Sequence, residues 1–279
     1  MAGTPDPGPL TPGADVSQPR RVALVGPGRA GLTVTDALRD AGWSVVGVAG
    51  RGPDAPSTVA AAQRYGVRPG GLAEAVESAD LVVLAPPDAA IAATVAALRD
   101  QVRPEQLVVH LSGAVGLAVL DALPCRTGTL HPLQSLPTPG LGRARIVGAA
   151  AAIAGDAEVG VIARTIGLVP FPVRDDERVA YHAAACIASN HLVALLAQVE
   201  ACTDVPLAEF LPLVRATVDN VEILGPAAAL TGPVARGDVA TVRAHLAAIP
   251  EAERPTYRAL MRRAAVLAGR AEEFGEIPA

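Results

Sequence analysis

The sequence predicts an α/β nucleotide-binding domain followed by an all-α domain, and three observations carry that prediction. A short aliphatic run, Val22 to Val25, passes directly into the glycine loop Gly26-Pro27-Gly28-Arg29-Ala30-Gly31. Aliphatic strand-like runs then alternate with helix-like segments as far as Val173. From Val179 onward the pattern is helical, without strand-like alternation. The charged break Arg174–Arg178 separates the two patterns, so the expected domains are 20–175 and 176–279. Residues 1–19 are rich in Pro and Gly with little to bury, which reads as a disordered tail. They also lack the apolar core of a signal peptide.

The first elements form one βαβ unit. Val22 to Val25 suits a buried parallel strand, Leu32 to Ala41 has helical spacing, and Trp43 to Val48 reads as the second strand. Between strand and helix sits a GxGxxG. Its glycines allow a tight turn, close backbone approach to a pyrophosphate, and close helix–strand packing. The helix N-terminus adds free N–H groups and the positive end of its dipole. This is the context in which the motif points to a Rossmann-type dinucleotide site rather than to an ordinary turn.

The second strand selects among dinucleotides. An NAD site places a carboxylate there, on the ribose 2′-hydroxyl. Here the segment is Val48-Ala49-Gly50-Arg51-Gly52, with arginine in that place. Arginine can pair with a 2′-phosphate that a carboxylate would repel, so NADP(H) is the expected cofactor. A solvated surface arginine is the plain alternative.

Thr58 to Tyr65, Ala73 to Glu77 and Ile91 to Leu98 continue as helices, with strands ending at Ala85 and Leu111. Ligands lie at the carboxyl ends of such strands. Pro86 and Pro87 are therefore expected beside the cofactor, and Ser112 and Gly113 near its nicotinamide or the substrate. Read plainly, Pro-Pro-Asp is a turn in which Asp88 caps the next helix. A further helix is expected near Leu117 to Leu123. His131 directly precedes a proline, which favours extended backbone and lets its ring reach the sheet edge. Ile146 to Ile153, Glu158 to Ile166 and Val169 to Val173 read as strand, helix and strand of the same sheet.

In the second half, helices are expected over Ala180–Cys202, Pro206–Leu224, Val239–Ala247 and Pro255–Phe274. Pro212 should lie in a first turn or kink its helix, and Asp238 should cap the helix after it. The stretch YHAAACIASNH opens this half. At about 100° per residue, His182, Ser189 and Asn190 share one broad face, while His191 points away. The alternative is a polar face satisfied by neighbouring helices.

Composition limits the chemistry. The 279 residues include no lysine, so all 23 basic side chains are arginine and no lysine acid, base or Schiff base is available. A net charge of −5 argues against a nucleic-acid or anionic-membrane surface. No apolar run approaches the roughly 20 residues of a membrane span. Three scattered cysteines fit a reducing, cytoplasmic setting. The five histidines show no metal-ligand spacing, so no metal is expected.

GPGRAG, the arginine after the second strand, DLVVLAPPD, HLSGA, LHPLQS, YHAAACIASNHLVAL and ALTGPVARGD together resemble a family of Rossmann-like oxidoreductases. Its members carry an all-helical C-terminal domain of long-unassigned function, and the resemblance spans all but the tail. More distantly the layout is similar to ketopantoate reductases, pyrroline-carboxylate reductases, prephenate dehydrogenases and the 6-phosphogluconate dehydrogenase superfamily. The resemblance implies an NADPH-dependent reductase, common dimer formation, and an active site completed by the first C-terminal helices. In the hydroxyacid dehydrogenases and standard ketopantoate reductases of that superfamily, a helix lysine donates the proton. This chain has none, and His182 begins the corresponding helix, so histidine would replace it.

The resulting expectation is reduction of a small carbonyl or imine acid, with 2-dehydropantoate as the first candidate. His182 or His131 would act as the acid, Asn190 and Ser189 would orient the substrate, and Arg215 or Arg236 would bind its carboxylate. The rival expectation is a non-catalytic NADP sensor.

Overall fold

A computed structural model describes residues 20–275 and 277, so the expected tail lies outside the described residues. The described chain divides into two compact units at Ala185/Cys186, inside the helical stretch that follows the charged break rather than at the break.

The first unit is built on a seven-stranded sheet in the order β2-β1-β3-β4-β5-β6-β7. The strands are β1 (Arg21–Val25), β2 (Ser44–Ala49), β3 (Leu81–Leu84), β4 (Leu107–His110), β5 (Arg126–Pro132), β6 (Ala150–Gly155) and β7 (Val169–Pro172). β1 to β5 are mutually parallel, so their carboxyl ends share one edge. β6 joins the same sheet but runs antiparallel to β5, with β7 parallel to it.

Alternating side chains of the central strands feed two cores. Val22, Leu24, Leu81 and Val83 pack on one face, under Val34 and Leu38 of α1 (Arg29–Asp40) and Ile162 of α6 (Glu158–Thr165). Ala23, Val25, Val82 and Leu84 pack on the other, with Val76 of α3 (Leu72–Val76) and Ile91, Val95 and Leu98 of α4 (Asp88–Leu98). Both faces are covered, which is why these strands read as unbroken aliphatic runs. Burying each Val or Leu is worth about 1.5–3 kcal/mol, so a sheet with few aromatics still closes. α2 (Pro56–Tyr65) is fixed to α1 by its Arg64 and Tyr65, both bonded to the buried Asp36.

Several expectations shift. The strand read from Ile146 begins at Ala150, and a helix precedes it, α5 (Pro139–Arg145). Thr138 Oγ1 caps α5 by accepting from Leu141 N–H at 3.3 Å, and Pro139 stands in its first turn. These are helix-start residues that looked like loop. The helix near Leu117 is a single 3-10 turn, Leu117–Leu120. Asp88 is the first helical residue of α4 and does not cap it by its side chain.

The unit closes with α7 (Arg178–Cys186), which a π-helical segment, Ile187–His191, follows directly. The helical stretch Asp175–Cys202 is long and apolar enough by length and composition to cross a membrane, against expectation. Scattered polar residues hid this in the sequence, among them Arg178, which is fully buried against the sheet unit.

The second unit contains α8 (Leu192–Cys202), α9 (Leu207–Leu224), α10 (Pro226–Ala229), α11 (Pro233–Arg236), α12 (Val239–Ala248) and α13 (Arg254–Leu267). Asp238 caps α12 as expected, accepting from Thr241 N–H at 3.0 Å. Pro212 lies in the interior of α9 rather than its first turn. α13 stops at Leu267, and Gly269, at φ +69°, turns the chain before a separate 3-10 turn at Glu272–Phe274. The core here is small, made by Val234, Val242, Leu246, Met261, Ala265, Phe274 and Ile277. α8 and α9 contribute no buried residue.

Candidate active site at the carboxyl edge of the sheet

The glycine loop follows β1, and each glycine meets a different steric demand. Gly26 has φ +88°, and a Cβ there would lie 2.4 Å from the Pro86 nitrogen and 2.5 Å from the Ala85 carbonyl carbon. It lets the loop cross the end of β3. Gly31 lies where a Cβ would come within 2.9 Å of Leu24, which lets α1 pack on the sheet. Gly28 differs, because a Cβ there would meet nothing closer than the Ala85 oxygen at 4.0 Å. It is the N-cap of α1, exposed, and has open space above it.

This loop fits a pyrophosphate. The first N–H groups of α1 have no helical partner, and the first turn carries no acidic residue. Arg29 is the exposed first residue of α1, Ala30 is half-buried against the core, and Pro27 is half-buried in the loop. Pro86 is half-buried and Pro87 exposed, both following β3 on the same edge. Arg51 is exposed just past β2, and among the described residues it pairs with no carboxylate. Beneath it, Thr58 Oγ1 is fully buried against Gly50 without a hydrogen-bond partner among the described residues. The residues present therefore fit a dinucleotide.

A second group of side chains stands on the same edge, past β4 and β5. The His131 Nδ1 lies 2.8 Å from the Tyr181 hydroxyl. The His131 ring meets Tyr181 and His182 edge-on, with centroids 5.7 Å and 5.8 Å away. Phe171 backs the tyrosine in the same manner at 5.9 Å. A Cβ on Gly113 would stand 2.6 Å from His182 Nδ1 and 2.8 Å from His131 Nε2. Two imidazole nitrogens thus converge on one glycine, and only a residue without a side chain leaves room for both.

Below this group lies a buried support. Arg178, fully buried, donates to the Ser112 carbonyl at 3.3 Å and to the Thr129 hydroxyl, with Asp175 at 3.6 Å from its Nε. Asp175 also accepts from Leu117 and Ala118 N–H, tying the 3-10 turn to the start of α7. His110 Nδ1 accepts from Ser112 N–H at 3.2 Å, so its Nε2 carries the proton and donates to the Gly116 carbonyl at 3.2 Å. The Ser112 hydroxyl accepts from Ala114 and Val115 N–H, which shapes the turn that presents Gly113.

Electrostatics keep His131 and His110 neutral. Burial pushes the His131 pKa down to about 4, assisted by His182 and Arg178 and opposed by Asp88. Burial also lowers that of His110. Tyr181 is raised by burial, with Arg178 acting against it. At neutral pH the pair is therefore a protonated phenol beside a neutral imidazole.

Of the expected residues, His131, His182, Ser112 and Gly113 come together, and Gly26 to Gly31, Arg51, Pro86 and Pro87 stand along the same sheet edge. Ser189, half-buried, and Asn190, exposed, fall in the π-helical segment of the second unit. Its wider turn departs from the uniform spacing that put them on the face of His182. Tyr181, Arg178 and His110 were not singled out from the sequence. Tyr181 stands next to His182 in the opening stretch, and Arg178 looked like part of a charged break.

Residues 6–136 match the model of a Rossmann-like domain. Residues 148–264 match that of a domain of unknown function (DUF2520). No curated protein matches the sequence. Among solved structures, a chain of Bacteroides fragilis named a "putative NADP oxidoreductase" superposes with a TM-score of 0.76 at 24% identity, over 89% of this chain and 98% of that one. A protein of Thermotoga maritima gives 0.66 at 23% identity, over 90% and 99%. A reductive aminase of Aspergillus terreus, in complex with NADPH and ethyl levulinate, gives 0.61 at 16% identity, over 92% and 100%.

Proposed function

The chain belongs to the proteins that join a Rossmann-like domain to this domain of unknown function, and on that premise we propose that it is an NADPH-dependent reductase of a small carbonyl or imine acid. The observation that carries the proposal is the convergence of His131 and His182 on Gly113, along the sheet edge that also bears the glycine loop. The neighbouring folds support it, since one is a reductive aminase bound to NADPH.

Gly26, Gly28 and Gly31 would receive the pyrophosphate on the N-terminus of α1, with Arg29 beside it and Arg51 on the 2′-phosphate. NADPH, when bound, supplies a hydride. The chain's own residues then supply position and a proton. Gly113, having no side chain, lets both imidazoles pack close against the sheet edge beside the nicotinamide. The proton would pass to the substrate oxygen or nitrogen from a ring nitrogen of His182, or from Nε2 of His131 as the Tyr181 hydroxyl proton moves to Nδ1, so that the imidazole stays neutral and solvent re-protonates the phenolate. Neutral His131 still carries one N–H; with the Tyr181 hydroxyl as the donor to Nδ1, that proton would sit on Nε2, the nitrogen nearest Gly113. General acid assistance of this kind is worth about 10²–10⁴ in rate. Among acids, 2-dehydropantoate is the first candidate, followed by pyrroline-5-carboxylate and prephenate-like acids.

The test is NADPH consumption with a panel of 2-oxo acids and cyclic imines, repeated with NADH. Saturable turnover with preference for NADPH supports the proposal. Tight NADPH binding with no turnover across the panel would favour a sensor. Failure to bind either nucleotide would overturn the reading.

A further inference from the structure

Beneath the cluster at Gly113 lies a cation whose charge is only partly offset. Arg178 is wholly buried, and its guanidinium donates to two neutral acceptors, the Ser112 carbonyl and the Thr129 hydroxyl. Its Nε makes no hydrogen bond among the described residues. Asp175 stands 3.6 Å from that nitrogen, is 41% exposed, and already accepts from Leu117 and Ala118 N–H. A buried charge with a loose partner acts strongly on its neighbours, because little water screens it. Those neighbours are the groups that would handle the proton. Tyr181 and His182 follow Arg178 by three and four residues, on the same face of α7. Arg178 favours a phenolate on Tyr181 and opposes a positive charge on His131 and His110. Asp88, exposed at the start of α4, acts on both histidines in the opposite sense and more weakly, joined at His110 by Asp175.

We infer that Arg178 selects a substrate that gains negative charge as it reacts, a 2-oxo acid or another carbonyl compound, over a cationic iminium. This rests on the reductase reading above and narrows it. In carbonyl reduction the carbon gains the hydride, the π pair of C=O moves to oxygen, and oxygen takes a proton from a ring nitrogen, with NADPH oxidised to NADP⁺. When that proton is the one on Nε2 of His131, the Tyr181 proton moves to Nδ1 and the negative charge ends on the Tyr181 oxygen. Both the developing alkoxide and the phenolate are stabilised by a fixed cation about one helical turn away. An imine takes another course. Its nitrogen is protonated before the hydride arrives, so the reacting species enters as a cation that Arg178 repels. Arg178 touches no reacting atom in this scheme and is a positioning residue that acts through its charge.

The test has one arm on the substrate and one on the full chain without nucleotide. Matched pairs, each a 2-oxo acid and a cyclic imine acid of equal carbon number, are compared by kcat/KM at saturating NADPH. The 2-oxo acid should lead by about tenfold or more. Arg178→Met should shrink that ratio about tenfold, and Arg178→Lys, which keeps the charge, should preserve most of it. A general loss of active protein leaves the ratio unmoved, and if Arg178→Met does not fold, the wild-type ratio still decides. In the free chain, NMR titration should put His131 well below 6.5 in the wild type and in Arg178→Lys. In Arg178→Met it should titrate about one pH unit higher. Faster turnover of imines by the wild type, an unchanged ratio in Arg178→Met, or a His131 titration that Arg178→Met leaves in place would each overturn the inference. No turnover with either class would overturn the reductase reading and this inference with it, and the His131 titration, which needs no substrate, tells that failure from a wrong role for Arg178.

Discussion

The Tyr181 hydroxyl stands 2.8 Å from Nδ1 of His131, while the other nitrogen of that ring lies 2.8 Å from where a Cβ on Gly113 would stand. The tyrosine holds one ring nitrogen of His131 by a hydrogen bond and so sets where the ring points. Tyr181→Phe should therefore lower kcat about 10–100-fold by loss of orientation. NADPH affinity, measured by fluorescence titration, should change little. Unchanged kcat would remove the tyrosine from the reaction.

Gly113→Ala tests the convergence of the two histidines. The added methyl would stand within 3 Å of both ring nitrogens, so at least one ring must move. Turnover should fall by about 100-fold or more, given how steeply rate depends on placement. Thermal unfolding should shift only modestly, because the rings can swing aside.

Gly26 and Gly28 should separate fold from cofactor binding. A Cβ at Gly26 meets backbone at 2.4–2.7 Å and sits at positive φ, so Gly26→Ala should destabilise by about 2 kcal/mol or more. At Gly28 the same methyl finds space in the protein. Gly28→Ala should fold normally and lose NADPH affinity, because the methyl fills the approach to the pyrophosphate. Calorimetry and nucleotide titration on the two variants check the contrast. Equal loss of stability in both would contradict it.

Arg51→Ala should weaken NADPH binding about 10–100-fold and leave NADH nearly unchanged, since only the former has a 2′-phosphate to pair. Parallel weakening of both nucleotides would make Arg51 a general surface cation.

Acid should destabilise the first unit through His131. Its folded pKa is depressed to about 4 from an ordinary 6.5. Between those values the unfolded chain binds the proton and the folded chain does not, so stability falls as pH drops through this window and levels off below it. At about 1.4 kcal/mol per unit, the loss reaches at most about 3.5 kcal/mol. His131→Asn should flatten the urea-measured slope between pH 6.5 and 4, and an unchanged slope would assign it to other groups.

The parts of this protein that were legible in its sequence are those fixed by local chemistry. β1, the glycine loop and α1 follow from an aliphatic run meeting GPGRAG, and Asp238 declares its cap three residues before Thr241. α5 was missed because Pro139, Gly140 and Gly142 suppress helix-like periodicity, although Thr138-Pro139 is a helix start. The antiparallel turn between β5 and β6 leaves no mark in either strand's composition. The cluster was half visible. His131 and His182 are conspicuous residue types, but they lie 51 positions apart, and only the sheet brings them to Gly113. Arg178 was misread because a charged residue in a charged segment looks solvated, whereas its guanidinium is wholly buried. Ser189 and Asn190 were placed by a spacing that the π-helical segment does not keep.

The most direct test of the central claim is a crystal structure of the chain with NADP⁺ bound. The account predicts the pyrophosphate over Gly28, Arg51 on the 2′-phosphate, and the nicotinamide against Ser112-Gly113, within reach of a substrate held by His131 and His182. A nicotinamide lying away from Gly113, with the histidine–tyrosine cluster remote from its reactive carbon, would contradict the account and leave a nucleotide-binding protein without this chemistry.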